Sequence, residues 1–197
     1  LSETTGLNPY ENDIVQLAGC FQTPDGQIQS AFNIRMRPLH PENIQQEALD
    51  VIGLTREEIM AFPPAEEGMQ EFYDLCKKYV SGWNDRLTTG GFNVSFDVGM
   101  IQEMFKKLLG KEKGGKKYFS VFTTRRVDPF LMLSIVEQII DFEFKSPKLT
   151  VLYKTFFKKD LVGAHDALAD VRATIEIYSF FEHLIFEMYP KKIKNIS

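Results

Sequence analysis

A chain of 197 residues can bury one substantial core and is too short for two large ones, so a single site is to be sought. With 44% hydrophobic and 25% charged residues it has the composition of a globular protein, which excludes the fibrous and disordered classes. A net charge of −4 excludes affinity for nucleic acid through a broadly basic surface, but not a carboxylate-lined site whose negative field divalent cations bridge to phosphate.

The opening "LSETTGLNPYENDIV" lacks the basic and apolar regions of a secretion signal, and no apolar run approaches the roughly 18 residues of a membrane span. A cytoplasmic protein without membrane contact is therefore expected. "IVQLAGCF" (residues 14–21) reads as a strand, "TPDGQ" as a turn, and "IQSAFNIRMRP" as the partner strand of a hairpin, ended by Pro38. "HPENIQQEALDVIGLT" reads as an extended loop entering a short helix. "TREEIMAF" reads as a second helix, with Thr55 as N-cap and Glu58 in the capping-box position.

In "PPAEEGMQEFYDLCKKYVSG", Met69, Phe72, Leu75, Cys76 and Tyr79 recur at helical spacing between a proline start and Gly82. "RLTTGGFN" reads as a short strand broken by glycines, and "SFDVGMIQEMFKKLLG" as a helix capped near Ser95 and stopped by Gly110. "KEKGGKK" reads as a solvated turn whose four lysines are a surface loop rather than a nucleic-acid patch. A strand in "YFSVFTTRRVD", a helix from Asp128 with Pro129 in its first turn, a short helix in "KLTVLYKTFF" and a long one from Gly163 to Pro190 complete the chain. Strands early and helices late imply an α/β fold, a mixed sheet flanked by helices. Cys20 and Cys76 lie far apart in apolar patterns without CxxC spacing and are read as core thiols.

Three stretches place carboxylates where burial is expensive unless a cation is bound. In "SETTGL", Glu3 ends the opening strand, Gly6 lets backbone amides approach a ligand, and Thr4 and Thr5 offer hydroxyls to a phosphate or terminal hydroxyl. In "FNVSFDVG", Asp97 opens a helix, either as a ligand or simply as a favourable N-terminal charge. In "GAHDALAD", His165 stands at a helix entry, with Asp170 one turn inside it.

Taken in this order, the stretches resemble the motifs of the DEDDh family of 3′-to-5′ exonucleases, which includes the proofreading subunit of bacterial DNA polymerase III. The family pattern Asp-x-Glu-Thr-Thr-Gly matches "LSETTG" except at Leu1, Asn-x-x-Phe-Asp matches "NVSFD", and His-x-Ala-x-x-Asp matches "HDALAD". The resemblance implies a ribonuclease H-like mixed five-stranded sheet flanked by helices, with a domain over residues 1–190 and a tail over 191–197. It also implies two-metal hydrolysis of phosphodiesters, with two Mg²⁺ or Mn²⁺ ions per site held by Glu3, Asp97 and Asp170.

By the same resemblance, His165 is the general base that takes a proton from the attacking water. Thr4, Thr5, Gly6 and Leu7 line the pocket of the 3′-terminal nucleotide, and Asn93 and Phe96 shape its wall. Leu7 and Leu54 are apolar contacts to the terminal base, or else core residues. The implied substrate is a single-stranded DNA or RNA 3′ end, with DNA proofreading favoured. The implied partner is a DNA polymerase, and the state a monomer or homodimer.

Leu1 stands where the family carries the acid that bridges both metals, and only residues i and i+2 share a strand face, so an acid just upstream would point away from Glu3. The expectation is a truncated or altered form of an active enzyme, with most of its first strand missing. The alternative is a variant that binds nucleic acid without cutting it. Phe92, where many relatives carry His, is expected to change packing rather than chemistry.

Overall fold

The computed structural model describes residues 1–188 apart from 83, 142, 145 and 163–166. The domain boundary expected at 190, the tail beyond it and His165 lie outside the described residues. Strand β1 (Ser2–Thr4) pairs antiparallel with β2 (Ile14–Gln22), which pairs antiparallel with β3 (Ile28–Arg35). The β2–β3 hairpin closes through Gly26, whose φ of 89° suits a residue without a Cβ. Strands β4 (Leu87–Gly90) and β5 (Phe122–Val127) pair in parallel.

The five expected strands are present, but among the described residues they form a group of three and a group of two rather than one ladder. On the side of β1 away from β2 the contact is with helix α4 (Val94–Leu109). Leu1 and Ala18 exchange both backbone hydrogen bonds, so the Ser2 N–H points away from β2, and it donates to the Asp97 carboxylate instead of a strand.

Between the two strand groups come three helices, α1 (Gln46–Ile52), α2 (Arg56–Met60) and α3 (Ala65–Lys77). Thr55 and Glu58 form the expected capping box on α2, each accepting from the other's backbone N–H. The main core packs Met69, Phe72 and Cys76 of α3 against Leu17 and Ile34 of the sheet and the buried face of α4 (Val94–Leu109). On a separate flank, Val15 packs with Leu49 and Ile59.

Helix α4 is not capped by Ser95, whose Oγ instead accepts from Arg126. Its first residues are reached by a distant carboxylate. Asp128 accepts from the N–H groups of Asn93 (2.9 Å) and Val94 (3.1 Å), and also caps α6 (Pro129–Ile140) by accepting from the Phe130 N–H. One buried aspartate thus satisfies the orphan donors of two helices.

The stretch read as a solvated lysine turn is helical: α5 spans Lys111–Phe119. Gly114 makes this possible, since a Cβ there would collide with the Phe105 carbonyl of α4, so a glycine lets the two helices touch. Tyr118 then buries its ring on Phe122, with centroids 4.9 Å apart.

The last helices, α7 (Leu149–Phe157) and α8 (Ala167–Met188), join α6 around a second core rich in phenylalanine, where Phe156 and Phe181 meet edge to face. Phe92 packs edge-on against Phe130 at the border of this core. Helix α8 also packs across β2, which brings its first turn, and Asp170 with it, towards β1. No helix among the described residues is long and apolar enough to cross a membrane.

Candidate active site

Register places the first carboxylate. With Ser2 opposite Leu17 and Glu3 opposite Gln16, β1 delivers Glu3 beside the buried centre of β2. Asp97 arrives from the first turn of α4 and is buried there. Its Oδ1 accepts from both the N–H (2.6 Å) and the Oγ (2.7 Å) of Ser2, two charge-assisted bonds that fix the carboxylate next to β1. The α-amino group of Leu1 lies 3.9 Å from the same oxygen. Asp170 comes from the first turn of α8, where its carbonyl accepts from the Thr174 hydroxyl (2.8 Å).

These three segments, far apart in sequence, meet electrostatically at Glu3. Burial pushes its carboxyl up to about 7; the charge of Asp170 adds to the rise, the Leu1 ammonium opposes it, and Asp97 adds a smaller push. Full ionisation of the group is therefore costly in the protein alone.

Oxygen donors that are partly buried and repel one another suit a hard divalent cation, which would relieve that cost. Among the described residues no three His, Cys, Asp or Glu side chains are grouped closely enough to enclose an ion by themselves. An ion held there would complete its shell with water or phosphate oxygens, as suits Mg²⁺.

The residues expected to line a nucleotide pocket divide. Leu7 projects into solvent, 80% exposed, so it is not a core residue. Leu54 is half-buried against the Leu49 and Ile59 cluster. Asn93 is exposed, in a left-handed conformation (φ 55°) at the start of α4, and Phe96 packs partly into the main core.

Thr4 and Thr5 do not offer their hydroxyls to a ligand. Thr4 donates to the Gly6 carbonyl (2.7 Å), and the fully buried Thr5 Oγ1 accepts from the Asp13 N–H (2.9 Å). Gly6 is likewise required by packing, because a Cβ there would strike the Asn12 and Gln45 side chains. The segment that looked like ligand-binding chemistry is, in these three residues, a folded turn.

Sequence reasoning missed Ser2, the residue that aims Asp97, because a serine beside a glutamate carries no signal without the strand's direction. It also missed the fully buried Asp13, which binds Lys107 Nζ (2.8 Å) and the His40 N–H (2.6 Å); an acid in "END" before a strand resembles any turn residue. A surface cavity of about 460 Å³ between Lys77, Val80 and Phe119 involves none of the candidate residues.

The Exonuclease family model of the RNase T group matches residues 2–178. The chain belongs to this exonuclease family. Relatives of the exonuclease-family chain include the PolC-type DNA polymerase III of Streptococcus suis (strain 98HAH33), 30% identical over 105 residues, which are 53% of this chain and 6% of that protein. The Bacillus subtilis (strain 168) PolC-type enzyme is 27% identical over 172 residues, 87% of this chain and 10% of that protein.

Among solved structures, E. coli Exonuclease I in complex with a dT13 oligonucleotide superposes with a TM-score of 0.74 at 18% identity, covering 96% of this chain and 41% of that one. The zinc-bound form of the E. coli Exonuclease I complex with single-stranded DNA gives 0.73 at 19% identity, covering 98% and 41%. The exonuclease-family chain therefore spans a tenth or less of these PolC-type relatives and about two fifths of the Exonuclease I chains. It has their ribonuclease H-like α/β fold.

Proposed function

We propose that the chain is a metal-dependent 3′-to-5′ exonuclease that releases nucleoside monophosphates from single-stranded DNA ends. The observation that carries the proposal is the electrostatic coupling of Glu3 on β1 to Asp170 on α8 and Asp97 on α4, where burial first and the charge of Asp170 next raise the Glu3 carboxyl to about 7. DNA rather than RNA is supported by the oligonucleotide bound in the Exonuclease I neighbour. A DNA polymerase partner is supported by the PolC-type relatives, whose matching segment lies within a polymerase chain, and the place of action we propose is the cytoplasm.

Glu3, Asp97 and Asp170 would hold two Mg²⁺ or Mn²⁺ ions, which when bound supply an activated water and charge compensation at the phosphoryl oxygens and the leaving 3′-oxygen. Ser2 keeps Asp97 pointed at the site through its two hydrogen bonds. His165, which lies outside the described residues, takes the proton of the attacking water; an imidazole suits that role at neutral pH. Leu7 and Leu54 are apolar contacts to the terminal base, with Asn93 and Phe96 forming the pocket wall.

A second reading, a module that binds nucleic acid without turnover, is favoured by Leu1 at the position where the family pattern has an acid. A time course on a 5′-labelled single-stranded oligonucleotide in Mn²⁺ separates the two. The exonuclease gives a ladder shortening from the 3′ end that chelator abolishes and that Asp97→Asn and His165→Ala lose. Binding without shortening supports the second reading, and neither binding nor shortening defeats both.

A further inference from the structure

The loop between β1 and β2, residues 5–13, is pinned from every side. Its ends are tied by the Thr5 N–H donating to the Asp13 carbonyl (2.9 Å), and its middle by the Asn12 N–H donating to the Asn8 carbonyl (2.7 Å). The buried Asn12 side chain accepts from the Asn8 N–H (3.0 Å) and donates to the Asn43 carbonyl (2.9 Å). From α4, Lys107 Nζ reaches both the Asn12 carbonyl (2.6 Å) and the Asp13 carboxylate (2.8 Å).

A loop held this firmly nevertheless displays two large side chains in water, Leu7 at 80% exposure and Tyr10 at 75%. Single exposed apolar residues are ordinary, but two on one anchored turn of four residues are a built display. The display also has a place. The loop leaves β1 two residues after Glu3, and its Pro9 packs on α4, 3.8 Å from where a Cβ of Gly99 would stand, so the loop is carried by the same two elements that carry Glu3 and Asp97.

We infer that Tyr10 is a specificity-determining contact that stacks on an unpaired base of the strand whose 3′ end the carboxylates address. The inference rests on the exonuclease reading. A phenol ring on a rigid loop loses little conformational freedom on binding, and because every base has a π-face such a contact is tolerant of sequence. It requires a single strand, since a paired base is already stacked on its neighbours. Ionic character is not needed, which fits a chain of net charge −4.

The test is steady-state cleavage of oligo-dT and oligo-dA in Mn²⁺ by the parent, Tyr10→Ala and Tyr10→Phe, repeated on a strand with abasic sites along its 3′ segment. Tyr10→Ala is expected to raise KM about tenfold on both sequences, with kcat within about twofold, as loss of one stacked base predicts. Tyr10→Phe retains the parent KM, and on the abasic strand the parent and Tyr10→Ala become equal. An unchanged KM for Tyr10→Ala, a Phe variant as impaired as the Ala variant, or a defect that persists on the abasic strand overturns the stacking role. In each of those results the parent still cleaves and the exonuclease reading survives. A parent that shortens no 3′ end overturns the exonuclease reading and this inference together.

Discussion

Replacing Glu3 with glutamine isolates the electrostatic cost of the carboxylate cluster. The folded chain raises Glu3 from its ordinary 4.5 to about 7, so between those values the folded form keeps a proton that the unfolded form has released. The resulting penalty is absent below pH 4.5, grows as pH rises through 7, and at pH 8 reaches about 3 kcal/mol at 1.36 kcal/mol per unit. About 2.5 kcal/mol of it develops between pH 5 and pH 8 by the same relation. Glutamine keeps the shape and carries no such term. In urea denaturation of chelator-treated protein, Glu3→Gln should therefore gain about 2.5 kcal/mol on the parent between pH 5 and pH 8. Mn²⁺ at a hundred times its dissociation constant should return about 2.7 kcal/mol to the parent at pH 8 and less to the variant. A stability difference that stays constant across this pH range would refute the view that Glu3 is held half-buried beside repelling carboxylates.

Asp128→Ala removes the acceptor of three backbone N–H groups at two helix starts and should cost about 2–4 kcal/mol in the same assay, with Asp128→Asn costing less. Lys107→Met strips the fully buried Asp13 of its ammonium partner and should cost about 3–5 kcal/mol, a loss that Asp13→Asn in the same chain partly restores. Burial pushes the Cys76 thiol up to about 12, so in native protein at pH 8 a maleimide should label the partly exposed Cys20 first and reach Cys76 only in urea.

The hairpin, the capping box at Thr55 and the amphipathic helix carrying Met69 and Phe72 were legible because their signals are local: alternation, a turn dipeptide, a spacing of three and four. The errors share a different origin. Gly114 and Gly115 read as a turn because glycine lowers helix propensity by about 1 kcal/mol, yet the contact of α5 with α4 needs the missing Cβ and outweighs that loss. Ser95 read as a cap because the true one, Asp128, is donated from 34 residues away. A non-local acceptor leaves no mark in the helix it serves. The bond from the Ser2 N–H to Asp97, 95 residues away, was equally hidden.

Within the opening segment the same tension decides which residues serve the site. Thr4, Thr5 and Gly6 match a ligand-binding pattern, yet their hydroxyls and missing Cβ are consumed inside the turn, and what the turn presents outward is Leu7 and Tyr10. The Thr5 hydroxyl accepts from the Asp13 N–H and is fully buried, so turning it out toward a substrate would leave that amide unpaired, at a cost of about 1–3 kcal/mol. The polar part of the motif therefore acts by holding geometry. It ties β1 to β2 beside Glu3 and lets Asp13 anchor the loop to Lys107. Leu7 and Tyr10 are left exposed on the turn. Substitutions should divide accordingly, with Thr5→Val lowering stability and turnover together, and Leu7→Ala lowering substrate affinity while the unfolding transition stays in place.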